Sequence, residues 1–438
     1  MTSDPRHYAI ITSPVPGHLN PVQVLGAELA AAGARVTVVH VAGTERFGTE
    51  PAVAFAALPE RAGQMSLDTY LATLGSPRGP IGLSRMIRAT AGMADALLAG
   101  APEVIARIGA DTIIADAVEP AGPLIAQAMG LRHVGVVTGL PMFAEADVPP
   151  PFLGWPYRPD EAGRRRNRGG YAVSQALLRP IERVLQARRE AWRLGPARDA
   201  VVHVAQCPAA LDYPRTRLPD RFHYGSPWRH DPPAGPDLHA LDEAGDGRPL
   251  IFCSLGTLQG ARLKLLATMA QACADIGARA VIAHCGGLRP DQEGELPGDP
   301  LVRAFWPQTA VMRRCVAAVL HGGFNSTIDA LAAGLPMVLL PIAFEQPGTA
   351  ARVARIGAGR VLSPRWLSVP ALAEALSAIL SDPGYRAASQ RLARDMAAGG
   401  GARSAARLIR AALDGDYDAR TEPVEPTARQ PLILDAAR

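Results

Sequence analysis

Two histidines, one aspartate and a glutamate–glutamine pair carry most of the chemistry that this chain of 438 residues offers. His18 closes the run Pro14-Val-Pro-Gly-His18, where Pro and Gly end an apolar stretch at Ser13 and leave His18 in the turn that opens the next helix. The partial positive charge of a helix N-terminus disfavours imidazolium, so the ring is expected to be neutral at pH 7 and ready to accept a proton. Asp116 follows a second apolar run, Thr112 to Ala115. Open parallel sheets bind ligands beyond the carboxyl ends of their strands, which is where both residues fall. An aspartate there can fix the imidazole tautomer and stabilise the cation formed on proton capture. Asp111 precedes its strand and belongs on the opposite edge. The alternatives are a capping or core histidine at His18 and a helix N-cap at Asp116.

Three further loops follow apolar runs. Cys253-Ser-Leu-Gly-Thr257 has small residues that let backbone N–H groups and hydroxyls approach a phosphate. His321-Gly-Gly-Phe-Asn-Ser-Thr327 opens a helix, and its paired glycines, polar side chains and helix start suit a diphosphate. Pro341-Ile-Ala-Phe-Glu345-Gln346 sets a carboxylate beside an amide, a pair that can accept from and donate to vicinal sugar hydroxyls. Each has a plain structural alternative in a capped helix or an exposed loop. Asp414-Gly-Asp416 matches the metal-binding pattern of some sugar transferases but has no strand before it and reads as tail. Gly399-Gly-Gly401 lacks both strand and dinucleotide spacing and reads as loop.

The elements that must position these residues alternate. Tyr8 to Ser13, Leu19 to Ala32 and Ala34 to Val41 read as strand, helix, strand, and Asp111 to Ala115, Gly122 to Met129 and His133 to Thr138 repeat the pattern. Short, fully apolar runs between helices predict a parallel sheet covered on both faces. After a Pro- and Gly-rich stretch a second series begins: strands at Leu250 to Ser254, Ala280 to His284, Val316 to Leu320 and Met337 to Pro341, with helices at Ala261 to Ile276, Ala371 to Leu380 and Arg403 to Leu413. The expected domains are residues 1–225 and 249–413, joined by a linker at 226–248 and followed by a loose tail at 414–438. Between Arg158 and Arg198 eleven arginines face four acids, which predicts a solvated, charged helix pair; the sharper alternative is a surface that meets anionic lipid or an acidic ligand.

Composition narrows the function. Of 45 basic residues Lys264 is the only lysine, and it lies in an expected helix, which argues against Schiff-base chemistry; no Gly-Lys-Ser/Thr phosphate loop exists. The five cysteines form no C-x-x-C pair, which argues against a zinc site or disulfide framework and for a reducing compartment. The N-terminal apolar run is short and broken by Pro14 and Pro16, unlike a secretion signal, and no long apolar stretch suits a membrane span. The expected location is the cytoplasm, with peripheral contact at the inner membrane face through residues 158–198 as the alternative above.

Taken together, Trp306-Pro-Gln308, His321-Gly-Gly-Phe-Asn-Ser-Thr-Ile-Asp329, Gly334-Leu-Pro336 and Glu345-Gln346 resemble, in order and spacing, the donor signature of family 1 nucleotide-sugar glycosyltransferases. The Pro-Gly-His18 turn and Ala115-Asp116-Ala117 match that family's acceptor half. Ser254-Leu-Gly-Thr-Leu-Gln-Gly260, Ala283-His-Cys-Gly-Gly-Leu288 and Phe344-Glu-Gln-Pro-Gly348 are similar to the bacterial zeaxanthin (carotenoid) glucosyltransferases. The resemblance implies an α/β protein of two facing Rossmann-like domains, the GT-B fold, each a doubly wound parallel sheet. It implies an inverting transferase with a UDP-sugar donor, a small lipophilic hydroxylated acceptor, no cofactor, no metal and no nucleic acid. His18 is then the general base and Asp116 its partner. Ser254, Gly256, Thr257, His321, Gly323, Asn325 and Ser326 would hold the diphosphate. Phe305, with Trp306 beside it, would stack on the base near Gln308. Asp329 would bind the ribose in place of the family's usual glutamate, implying a preference for UDP over dTDP, since a charged hydrogen bond to the 2′-hydroxyl is worth ~1.5–3 kcal/mol. Glu345 and Gln346 would bind the sugar, most simply glucose. The rival readings are a polyketide or phenolic acceptor on the same fold, or a nucleotide-sugar epimerase or non-catalytic binder. An oriented base at His18 counts against a pure binder.

Overall fold

The computed structural model describes residues 5–75, 79–230, 241 and 247–415. Most of the expected linker at 226–248 and tail at 414–438 lies outside the described residues. The first sheet has seven parallel strands, β1 (His7–Ile11), β2 (Arg35–His40), β3 (Ala54–Ala57), β4 (Thr112–Asp116), β5 (Arg132–Val137), β6 (His203–Ala205) and β7 (Phe222–His223), in the order β3-β2-β1-β4-β5-β6-β7. The second has six, β8 (Leu250–Ser254), β9 (Arg279–Ala283), β10 (Leu301–Arg303), β11 (Ala317–Leu320), β12 (Met337–Leu339) and β13 (Gly359–Val361), ordered β10-β9-β8-β11-β12-β13 and parallel. Every residue of β1, β4 and β11 is buried, as helices on both faces of a parallel sheet require.

In each sheet the strand order reverses once, between β1 and β4 and between β8 and β11. At these points the connections leave in opposite directions and open a crevice beyond the strand ends. Register places Ile11 beside Ala115, so Thr12, just past β1, comes next to Asp116, the last residue of β4; Leu320 lies beside Ser254, which brings the turns after them together.

Two elements depart from expectation. The arginine-rich region is one helix, Glu161–Ala191, rather than a pair. Asp160 caps it by accepting from Gly163 N at 2.6 Å, Glu161 lies in its first turn, and Arg188 and Arg189 lie in its last. That charge order suits the helix dipole. It packs along the helix Gly79–Ile108. The last helix, Gly401–Asp414, belongs with the N-terminal half. Ala402, Ala405, Ala406, Ile409 and Leu413 join the core of Tyr8, Ile10, Leu19, Val22 and Leu25, Asp414 pairs with Arg6 at 2.6 Å, and Arg132 donates to the Leu413 carbonyl. The second domain therefore does not run unbroken to residue 413. Its apolar stripe is made mostly of alanine, which lets the helix approach the helix Pro16–Ala31 closely but gives no periodic signal of which domain it joins. Asp414, read above as tail, is the end of that helix.

The halves also share a buried contact. Asp212 accepts from Arg215 at 2.6 Å and from Arg352 at 2.8 Å, with all three side chains almost wholly buried. Burial alone would raise the Asp212 pKa, but the two guanidiniums outweigh it and hold the carboxylate below its usual range.

Candidate active site

The N-terminal crevice is built from strand ends. Pro16 takes the first position of the helix Pro16–Ala31, where its fixed φ fits and its missing N–H costs nothing, and this puts His18 in the first turn. His18 Nδ1 lies 3.1 Å from Asp116 Oδ2 and 2.6 Å from Thr138 Oγ1. Thr12 Oγ1 donates to Asp116 Oδ2 at 2.7 Å, and Thr138 Oγ1 donates to the same carboxylate at 3.0 Å. Asp116 is 1% exposed, whereas the His18 side chain keeps 24% of its surface. With Nδ1 donating to the carboxylate, Nε2 is the nitrogen left to accept a proton.

Burial depresses the imidazole pKa, but Asp116, by charge and hydrogen bond, outweighs it with help from Glu345, so His18 lies above its ordinary 6.5. The expectation drawn from the helix N-terminus had the opposite sign, because it left out the carboxylate in contact. Glu119 sits nearby, 2% exposed, its carboxyl pushed up to about 8 by burial although Ala121 N donates to it at 3.3 Å.

The C-terminal crevice uses backbone instead of charge. Gly256 (φ 71°) and Gly323 flank the His321 ring, and a Cβ at either would fall 2.6 Å and 2.3 Å from ring atoms. Burial pushes His321 down to about 4, so the ring is neutral. The helix Phe324–Ala332 starts at Gly323 with no side-chain cap, which leaves first-turn N–H groups for an anion. Ser254 Oγ donates to the Ala283 carbonyl at 2.9 Å and accepts from Gly256 N at 3.2 Å, holding the turn; Thr257 at its tip is exposed.

Several expected contacts are already occupied. Asp329 is 6% exposed, with Oδ1 taken by Arg229 Nε at 2.9 Å and Oδ2 by Gln308 Nε2 at 2.7 Å. Ser326 Oγ lies 3.4 Å from Gln308 Oε1, which joins it to the same cluster. Asn325 reaches across the cleft: its Nδ2 donates to the Gly17 carbonyl, and its Oδ1 accepts from Gln206 and Arg229. Gln346 Oε1 closes the loop before it by accepting from Ile342 N and Ala343 N, both at 2.8 Å, so only its amide N–H groups remain for a sugar. Trp306 points inward, donating to the Ile282 carbonyl at 3.0 Å, while Phe305 is 65% exposed and is the ring free to stack. Glu345 is half-buried at the start of the helix Gln346–Arg355, near enough to influence His18.

Thr12, Thr138, Glu119, Gln206 and Arg229 escaped the sequence reading. Thr12 and Thr138 carry one usable signal: a hydroxyl residue just past an apolar strand that neighbours the strand of Asp116. Arg229 carries none, since it lies in a stretch whose composition reads as linker. Among the described residues no group of three or more His, Cys, Asp or Glu is placed to hold a metal ion, and no helix is long and apolar enough to cross a membrane.

Comparison with known proteins agrees with this architecture. A zeaxanthin glucosyltransferase of Pseudescherichia vulneris is 34% identical over 422 residues, spanning 93% of this chain and 98% of that protein. One from Pantoea ananas is 30% identical over 419 residues, spanning 92% and 95%. Residues 267–408 match the family described as erythromycin biosynthesis protein CIII-like, C-terminal domain. The crystal structure of CalG4, the calicheamicin glycosyltransferase, superposes with a TM-score of 0.70 at 21% identity over 95% of this chain and all of that one. That of the glycosyltransferase VinC in complex with dTDP gives 0.67 at 22% over 94% and all. The chain is an enzyme of the GT-B fold and belongs to the family 1 glycosyltransferases, among relatives named for carotenoid glucosylation.

Proposed function

We propose that this enzyme transfers glucose from UDP-glucose, with inversion and without a metal, to a hydroxyl of a lipophilic acceptor such as a hydroxylated carotenoid. The observation that carries this reading is the His18–Asp116 pair, oriented through Nδ1 and facing the uncapped helix start at Gly323. Nε2 takes the proton of the acceptor hydroxyl as its oxygen bonds to the anomeric carbon. The bond from that carbon to the diphosphate oxygen breaks, and its electron pair leaves with the diphosphate. The imidazolium is stabilised by Asp116, and the leaving group by preorganised N–H donors of the helix start and the Gly256 turn, with neutral His321 beside them. Phe305 supplies a face for the base, and Glu345 and the Gln346 amide take sugar hydroxyls. Attack from the face opposite the leaving group inverts the anomeric centre.

The acceptor rests on the two relatives named zeaxanthin glucosyltransferase, which align over nearly their whole length. The erythromycin-type domain match favours a second reading with the same chemistry and a polyketide or phenolic acceptor. A panel assay with UDP-glucose against a carotenoid diol, a flavonoid and a macrolide aglycone, read by chromatography and anomeric coupling constants, tests both. A β-glucosylated carotenoid is expected. Hydrolysis of donor with no product from any acceptor would overturn the transfer reading. Activity should also survive EDTA; a loss restored by magnesium would remove metal independence.

A lipophilic acceptor must come from a membrane, and the outer side of the helix Glu161–Ala191 suits one. Arg165, Arg168, Arg179 and Arg183 are exposed there, with Val173 at 62% and Leu177 at 45% exposure on its flank. Co-sedimentation with phosphatidylglycerol vesicles, but not phosphatidylcholine vesicles, is the expected result.

A further inference from the structure

We infer that Gln206 and Arg229 are positioning residues that fix the base His18 against the diphosphate-binding helix. Gln206 follows β6, is fully buried, and uses both ends of its amide. Its Nε2 donates to the Thr138 main-chain carbonyl and, at 2.8 Å, to Asn325 Oδ1. Its Oε1 accepts from Arg229 Nη1 at 3.1 Å and Trp228 N at 3.3 Å. Arg229 in turn donates from Nη2 to Asn325 Oδ1 at 2.7 Å and from Nε to Asp329 Oδ1 at 2.9 Å.

Both ends of this relay reach the reaction. Thr138, held through its carbonyl, places its hydroxyl 2.6 Å from His18 Nδ1, and Asn325 holds the Gly17 carbonyl, next in the chain to His18. Asn325 and Asp329 lie in the first and second turns of the helix Phe324–Ala332, whose start is the proposed diphosphate site. The base and the leaving-group site belong to different domains, so their separation is a domain property, and these contacts fix it. Gln206 and Asp329 are buried and Arg229 and Asn325 partly so, and a network whose polar groups satisfy one another tolerates one geometry well and others poorly. A guanidinium can span Asp329, Asn325 and Gln206 at once because its donors form a rigid planar fork; a lysine cannot.

The inference rests on the proposed transfer reaction, and the experiment keeps the two apart, since a failed reading would leave the native enzyme itself without transfer. Gln206→Leu, Gln206→Glu, Arg229→Met and Arg229→Lys are measured in the full chain for kcat and KM of transfer, UDP affinity by calorimetry, and the pH profile of kcat/KM. A misplacement of about 1 Å costs about 10²-fold in rate, so kcat is expected to fall by about that factor. UDP affinity and the acid limb of the pH profile should remain native, the first also showing that the variants are folded. Gln206→Glu keeps the acceptor for Arg229 but loses both N–H donors, and it should fall like Gln206→Leu. The double variant Gln206→Leu/Arg229→Met should be no worse than the poorer single, as members of one network are non-additive. Near-native kcat in the four variants would overturn the inference. So would a parallel loss of UDP affinity, which would make Arg229 a direct donor contact, or a shifted acid limb, which would place the effect on the titration of His18.

Discussion

His18 and His321 stand beside the switch points of the two halves of the molecule, His18 after β1 and His321 after β11, the counterpart of β4. Each follows a strand at the point where its sheet reverses order, and each stands at the start of a helix. Their surroundings move them in opposite directions. His321, wedged between Gly256 and Gly323, is pushed down to about 4 by burial. His18 is also partly withdrawn from water, yet Asp116 in contact with Nδ1 raises it above 6.5. The shared topology decides where a histidine can stand. The carboxylate in contact decides whether it is a proton acceptor or a neutral wall beside a phosphate.

The comparison breaks most sharply if the two rings are removed. His18→Ala is expected to lower transfer by ~10² to 10⁴, the usual range for a general base, while UDP binding stays close to native. His321→Ala should do the reverse in kind, weakening UDP affinity. Calorimetry with UDP alongside initial rates separates the two. Near-normal turnover in His18→Ala would end its role as base.

Asp116→Asn sharpens the comparison without deleting a ring. The base works unprotonated, so the acid limb of kcat/KM marks the His18 pKa, and activity falls as pH drops through it. In the native enzyme that limb should lie above 6.5. In the asparagine variant the main charge opposing burial is gone and the smaller help of Glu345 remains, so the limb should move to lower pH while the plateau rate falls. A limb that stays in place would assign the titration to another group.

A smaller effect is expected at Gly256→Ala. Its φ of 71° disfavours any Cβ, and the new methyl would meet the His321 ring at 2.6 Å. Left-handed backbone alone costs ~1–2 kcal/mol. The donor KM should therefore rise by roughly tenfold, the factor that about 1.4 kcal/mol represents, with the acid limb unchanged. An altered acid limb would show that the two crevices are less independent than their different surroundings indicate.

How much of this was legible in the sequence follows from the range of each interaction. The strand ends, the glycine turns and the positions of His18, Asp116 and His321 are local patterns: β8 and β11 end at the expected Ser254 and Leu320, while β1, β2, β5, β9 and β12 end one or two residues before their apolar runs do. The partners that tune them are not local. Thr138 lies in a loop 120 positions from His18, and Arg229 reaches Asp329 across 100. Neither contact is encoded in periodicity. Strands as short as β6, with three residues, and β7, with two, are defined by pairing rather than by an apolar run, so they too went unread. The helix Gly79–Ile108 was missed although it has 30 residues, because its glycines and Pro102 interrupt the spacing that would reveal it.

The smallest expected effect concerns the nucleotide. The family resemblance, with Asp329 two turns into the helix after His321, implies a free carboxylate for the ribose 2′-hydroxyl, and hence a UDP preference of roughly tenfold or more. The structure leaves it little room: one oxygen holds Arg229, the other holds Gln308, and the residue is 6% exposed. A ribose hydroxyl would have to compete with a guanidinium or use the remaining lone pairs in a crowded site. The preference for UDP-glucose over dTDP-glucose should therefore be shallow, below about tenfold in kcat/KM. Asp329→Ala should then slow transfer from both donors alike, since it releases Arg229 and Gln308 together rather than one hydroxyl contact. Rates with the two donors in native enzyme and in Asp329→Ala decide the matter. A steep native preference that collapses in the variant would return the 2′-hydroxyl to Asp329, and would mean that donor binding first draws Arg229 away.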